Sequence, residues 1–171
     1  MKTNKNKKSP MCRLCGTLGT AILVALMLLC IPVALPKILG YQAYTVISGS
    51  MEPAISTGSL VYVKGLDPKE VLDGDIIAFY GGRDINAVIT HRVVENRVEA
   101  KEFVTKGDAN RTVDMNTTAY RYLIGRVEFA IPGVGIAAQF LTSPEGKIAA
   151  GCMIGLALIL HLLAALLDRR L

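Results

Sequence analysis

The stretch Ala87-Val88-Ile89-Thr90-His91-Arg92-Val93-Val94 (87–94) decides the fold. It is dominated by β-branched residues and reads as a strand. Alternation puts Ala87, Ile89, His91 and Val93 on one face and Val88, Thr90, Arg92 and Val94 on the other. His91 therefore points the way its aliphatic neighbours point. A lone histidine in that position is either a core residue with a hydrogen-bond partner or the imidazole of a reactive site. It is the only histidine between the two long apolar runs of the chain.

On either side, further segments rich in β-branched and aromatic residues predict strands over Tyr41–Ser48, Ser59–Val63, Asp75–Tyr80, Ala87–Val98, Glu102–Lys106 and Tyr122–Ile131. Turn signals separate them at Thr57-Gly58, Asp67-Pro68, Asp73-Gly74, Gly81-Gly82, Gly107-Asp108 and Pro132-Gly133. No helical period competes, and no repeat or low-complexity run appears. The fold class expected of the middle of the chain is mainly β, a coiled sheet or partly closed barrel.

Beyond this domain lie two runs without a charged residue, 14–36 and 148–167. Each supplies the roughly 20 residues with which a helix crosses about 30 Å of hydrocarbon. Pro32 and Pro36 are expected to close the first helix. A basic stretch (Lys2, Lys5, Lys7, Lys8, Arg13) precedes that run, as in a cleavable secretory signal. Its apolar core, Leu14–Ile31, exceeds the usual h-region of about 7–15 residues, so an uncleaved anchor is expected. His161, inside the second run, is expected near the membrane interface or against the first helix.

Of 19 basic residues, five lie in 1–13 and two in 168–171, which leaves twelve in 37–147; thirteen of the 14 acidic residues also lie there. The net charge of +5 thus sits on the two tails. Basic tails stay cytoplasmic. The expected arrangement is cytoplasmic tails at 1–13 and 168–171, transmembrane helices at 14–36 and 148–167, and the β domain, 37–147, on the outer face of the cell membrane. A nucleic-acid partner is excluded, because the basic residues do not gather on one folded face. The middle domain has no cysteine and must hold together without disulfides. Cys12-x-x-Cys15 has metal or redox spacing, but no second pair accompanies it; lipidation or no role is expected.

Two stretches carry candidate chemistry. Ser48-Gly49-Ser50-Met51-Glu52-Pro53 is either an ordinary turn or a nucleophile on a tight turn beside a membrane. Lys106-Gly107-Asp108-Ala109-Asn110-Arg111-Thr112-Val113-Asp114 brackets a polar loop with two carboxylates. Such residues commonly cap and turn the backbone, and one of the two could instead hold an imidazole in its working tautomer. Asn110-Arg111-Thr112 and Asn116-Thr117-Thr118 match the glycosylation pattern and are assigned no function.

Taken together, Ser48–Pro53, Asp73-Gly74-Asp75-Ile76-Ile77-Ala78-Phe79, Thr90-His91-Arg92-Val93-Val94 and Thr105-Lys106-Gly107-Asp108-Ala109-Asn110 with Asp114, in this order behind an N-terminal anchor, resemble type I signal peptidases. The resemblance runs from about Tyr44 to Gly135 and includes Gly125-Arg126-Val127 and Ile131–Gly135. It is closer to the branch of the endoplasmic reticulum, archaea and some Gram-positive bacteria, because His91 stands where the housekeeping bacterial branch has lysine. A second membrane helix is not universal in the family.

The resemblance implies Ser50 as nucleophile, His91 as general base and Asp114 as the residue that orients His91, with Asp108 its structural neighbour or the alternative third member. It implies the Ser48 hydroxyl and the Ser50 backbone N–H as oxyanion donors. No cofactor or metal is implied. The implied substrates are the signal peptides of secreted preproteins, taken up by strand addition, with membrane lipid around the anchors and a translocon or accessory subunit as further partners. Apolar residues of Phe129–Phe140 are expected either against the lipid surface or in the core. Two other readings stand beside this one. A non-catalytic or partner-dependent subunit of a signal-processing complex would be expected to lose Ser50 or His91, and a serine–lysine protease would have Lys106 as its base.

Overall fold

The computed structural model describes residues 10–81 and 84–169. Lys2, Lys5, Lys7, Lys8, Gly82 and Arg170, on which the charge and turn readings also drew, lie outside the described residues. The chain falls into two units, one spanning 33–139 and the other formed by its described residues up to Pro32 and from Phe140 onward.

The second unit pairs two helices, α1 (Pro10–Ile38) and α3 (Pro144–Arg169), both long and apolar enough to cross a membrane. They meet at small residues. A Cβ on Gly19 would lie 3.0 Å from the Ala157 carbonyl oxygen and 3.3 Å from the His161 ring, and the Cys12 thiol donates to the Ala164 carbonyl at 3.2 Å. His161 thus lies against the first helix. The prolines do not end α1, which runs on through Pro32 and Pro36. In an apolar segment, neighbouring groups can satisfy the backbone that a proline frees. The helix ends instead at Gly40, whose φ of 83° lets its N–H turn back to the Lys37 carbonyl at 3.2 Å.

Among the described residues the first unit holds an antiparallel sheet of seven strands: β1 (Tyr41–Thr45), β2 (Leu60–Lys64), β3 (Ile76–Gly81), β4 (Asp84–Arg97), β5 (Glu102–Lys106), β6 (Thr118–Ala119) and β7 (Leu123–Ile131). Their order is β1-β2-β7-β3-β4-β5-β6, and the sheet is open, with β1 and β6 at its ends. The molecule is mainly β with flanking apolar helices. The near-continuous apolar run of β3 explains its central place: Ile77 and Phe79 pack with Val71, Val93 and Phe103, while Ala78 packs on the other face with Met51, Ile55, Val61 and Val63. Each fully buried side chain of this size stabilises the fold by about 1.5–3 kcal/mol.

Two elements were not anticipated. The two-residue strand β6 pairs with Glu102 and Phe103. Helix α2 (Val134–Thr142) occupies a stretch where no helix was expected. At nine residues it is too short for a helical period to stand out, and packing specifies it. Val134 and Ala138, one turn apart, seat on Leu60 and Tyr62, and Gly135 lies so close that a Cβ would come within 2.5 Å of the Ser59 carbonyl oxygen. The segment Phe129–Phe140 is therefore split, with Ala138 in the core and Phe129, Ile131 and Ile136 exposed.

Candidate active site

The serine turn is pinned from beneath. After β1 the backbone stays tied to the strand entrance, with Val46 N–H donating to the Ser59 carbonyl at 2.9 Å and Gly58 N–H to the Val46 carbonyl at 2.8 Å. The chain then turns over Ser48–Ala54, and Glu52 N–H donates to the Gly49 carbonyl at 3.1 Å. Met51 and Ile55, buried to 1% and 4% exposure, anchor this turn in the core. The polar residues are left on top, Ser50 half-buried and Ser48 exposed.

His91 sits on β4 with its ring edge toward Phe79, the centroids 6.3 Å apart. Its Nδ1 lies 2.6 Å from Asp114 Oδ2, and the buried Thr105 hydroxyl donates to the same oxygen at 2.7 Å. Asp114 N–H in turn donates to the Thr105 carbonyl at 2.9 Å. An ionised Asp114 accepts both side-chain bonds, which puts the ring proton on Nδ1 and leaves Nε2 with a free lone pair.

Asp108 is held elsewhere. Arg92 donates to its two carboxylate oxygens from Nε at 2.8 Å and from a terminal nitrogen at 2.6 Å, while the other terminal nitrogen donates to the Gly74 carbonyl at 2.7 Å. These bonds to Asp108 push the Arg92 guanidinium further up from its ordinary pKa. The loop that carries Asp108 also grips the serine turn, because Ala109 N–H donates to the Ser50 carbonyl at 2.9 Å. Gly107 permits that approach, since a Cβ there would lie 2.6 Å from the same oxygen. The sequence reading assigned no role to Thr105 or Gly107. Both stood inside the quoted motif, but only the folded loop reveals their contacts.

Ser48, Ser50 and His91 line one cavity of about 640 Å³, between the segment that leaves β1 and residues 87–91 of β4. His91 and Asp114 also line a second hollow of about 510 Å³ on the side of Phe79 and Tyr122. Lys106 lines neither; it faces a third, of about 470 Å³, with Pro53, Arg92 and Asp108. Among the described residues no group of three or more His, Cys, Asp or Glu side chains gathers in a way that could hold a metal ion.

No protein-family model matches the chain. Curated relatives do. Signal peptidase I W of Bacillus subtilis is 44% identical over 82 residues, covering 46% of this chain and 42% of the relative. The signal peptidase complex catalytic subunit SEC11C of Rattus norvegicus is 32% identical over 124 residues, covering 64% and 62%. The signal peptidase complex catalytic subunit SEC11 of Komagataella phaffii is 35% identical over 127 residues, covering 65% of this chain and 71% of the relative. The match thus spans less than two thirds of the first two relatives and more than two thirds of the third. The chain belongs to the type I signal peptidase family, in the branch of these relatives, and with its two apolar helices it is a membrane-associated protein.

Proposed function

We propose that the chain is a membrane-bound serine endopeptidase that removes N-terminal signal peptides from exported preproteins. The observation that carries the reading is the His91–Asp114 bond of 2.6 Å on a histidine that shares one cavity with Ser50. A serine hydroxyl needs a base to become a nucleophile, and an imidazole held in one tautomer supplies it.

In this reading Ser50 Oγ attacks the scissile carbonyl carbon as its proton passes to His91 Nε2. Asp114 stabilises the resulting imidazolium, and the Ser48 hydroxyl and Ser50 N–H donate to the carbonyl oxygen as it becomes negative. Donors of this kind are worth about 2.7–4 kcal/mol each in the barrier. The C–N bond then breaks, the imidazolium gives its proton to the leaving amine, and an acyl ester remains on Ser50. A water molecule, deprotonated by His91, attacks that ester; the signal peptide leaves as a carboxylic acid and Ser50 regains its proton. Asp108 keeps the serine turn in place through Arg92 and Ala109.

Strand pairing supports an extended substrate. Among the described residues β1 pairs with β2 alone, and β4 pairs with β5 only from Arg92 onward, so residues 88–91 are paired on the β3 side alone. A signal-peptide segment can add to such edges beside the cavity. The basic tails support a cytoplasmic position for both termini, 1–13 and 168–171. The spans 14–36 and 148–167 then lie in the cell membrane, and the catalytic domain, 37–147, lies on the outer face. Exposed Phe129, Ile131 and Ile136 support contact of that domain with the lipid surface. Because two relatives are named as subunits of a signal peptidase complex, a translocon or accessory subunit is the further partner proposed.

The test is cleavage of a preprotein with an Ala-x-Ala site by the purified, detergent-solubilised chain beside Ser50→Ala and His91→Ala. Cleavage at the expected bond by the unaltered chain alone supports the assignment; cleavage retained by Ser50→Ala overturns it.

A further inference from the structure

The cavity shared by Ser50 and His91 has a floor of apolar side chains, among them Val46, Met51, Val61 and Val88. Its hydroxyl groups can be accounted for one by one. Tyr44 donates to Gln42 Oε1 at 2.7 Å and Thr45 to the Gly135 carbonyl at 3.0 Å. Ser48 and Ser50 are taken up by the chemistry proposed above. Thr90 is left. It lines the cavity half-buried, it is register-paired with the fully buried Ala78, and alternation puts its side chain on the face of β4 that carries Val88. Its hydroxyl has no hydrogen-bond partner among the described residues.

We infer that Thr90 is a specificity-determining residue, whose hydroxyl reads the side chain of the residue just before the cut and lets serine be taken there as readily as alanine. The inference rests on the peptidase reading and deepens it. The carbonyl that Ser50 attacks belongs to that residue, so its side chain enters the cavity next to Ser50 and His91, where Thr90 is the neighbouring strand position. In an extended substrate the side chain two residues earlier falls roughly 6.6 Å further along, at the level of apolar Val88. A serine hydroxyl buried in such a cavity without a partner carries its full desolvation cost, and Thr90 Oγ1 removes that cost by accepting or donating one hydrogen bond. The Thr90 methyl still suits alanine.

The test compares two preproteins that differ only in alanine or serine before the cut, cleaved by the full detergent-solubilised chain, Thr90→Val and Thr90→Ser. The readout is the serine-to-alanine ratio of kcat/KM within each enzyme, which does not depend on how much of a variant folds. Thr90→Val is expected to lower the ratio about tenfold and Thr90→Ser to keep it, as when a site that bonds a substrate hydroxyl loses its partner. An unchanged ratio in Thr90→Val overturns the inference and leaves the peptidase reading standing. Cleavage of neither preprotein by the unaltered chain, or cleavage that survives Ser50→Ala, overturns the peptidase reading and this inference with it.

Discussion

His91 and Arg92 are sequence neighbours, and each holds an aspartate from the loop after β5, yet the two pairs differ in kind. On one face of β4, His91 meets Asp114 through a single carboxylate oxygen that also takes the Thr105 hydroxyl. On the other, Arg92 meets Asp108 through both oxygens and reaches the Gly74 carbonyl as well. The first arrangement fixes one ring nitrogen and leaves the other open. The second engages both oxygens of its carboxylate and ties β4 to the loop beneath Ser50. The same residue type, six positions apart, thus serves an imidazole on one side of a strand and a scaffold on the other.

The largest expected effect breaks the first pair. Asp114→Asn should lower kcat about 10³–10⁴-fold, because the amide no longer fixes the working tautomer, while circular dichroism shows the fold intact. An equal or greater loss in a folded Asp108→Asn would reverse the roles of the two faces. Next comes Gly107→Ala, whose added Cβ must push on the Ser50 carbonyl oxygen 2.6 Å away. A displacement of that order costs roughly 10²-fold in kcat, read in single-turnover cleavage.

Asp108→Asn should act mainly on stability. A bidentate, partly exposed pair of this kind is worth about 1–2 kcal/mol, which lowers the melting temperature by roughly 4–10 °C in calorimetry, with about a tenfold loss of kcat. The smallest effect sharpens the comparison. Thr105→Val removes the second donor to Asp114 at nearly constant shape, and a loss in kcat of about tenfold or less is expected with KM unmoved. A matching change in KM would show that Thr105 acts on substrate binding and not through Asp114.

Much of this was open to sequence reading. The alternation of 87–94 already separated His91 from Arg92, because strand periodicity is local and exact in sign. The two apolar runs announced α1 and α3 by length and lack of charge. The ends of those helices were less legible, since Pro32 and Pro36 break a helix only where their freed backbone goes unsatisfied. Helix α2 was hidden for a related reason: its stability lies in Ala138 and Gly135 packing on Leu60, Tyr62 and Ser59, residues some 75 positions away.

What the sequence by itself determined is a β domain between two apolar helices, and the order of a serine turn, a histidine strand and an acidic loop. Those follow from hydrophobic period, charge and motif, which are properties of neighbouring residues. Composition left open which aspartate faces His91, and the resemblance favoured Asp114 over Asp108; it is tertiary structure that brings Asp114 to the imidazole. Asp108 and Asp114 belong to one polar loop and look alike in composition. They part because Thr105 and Lys106 alternate on β5, one facing the His91 side and the other the Arg92 side, so the loop delivers Asp114 to the imidazole and Asp108 to the guanidinium.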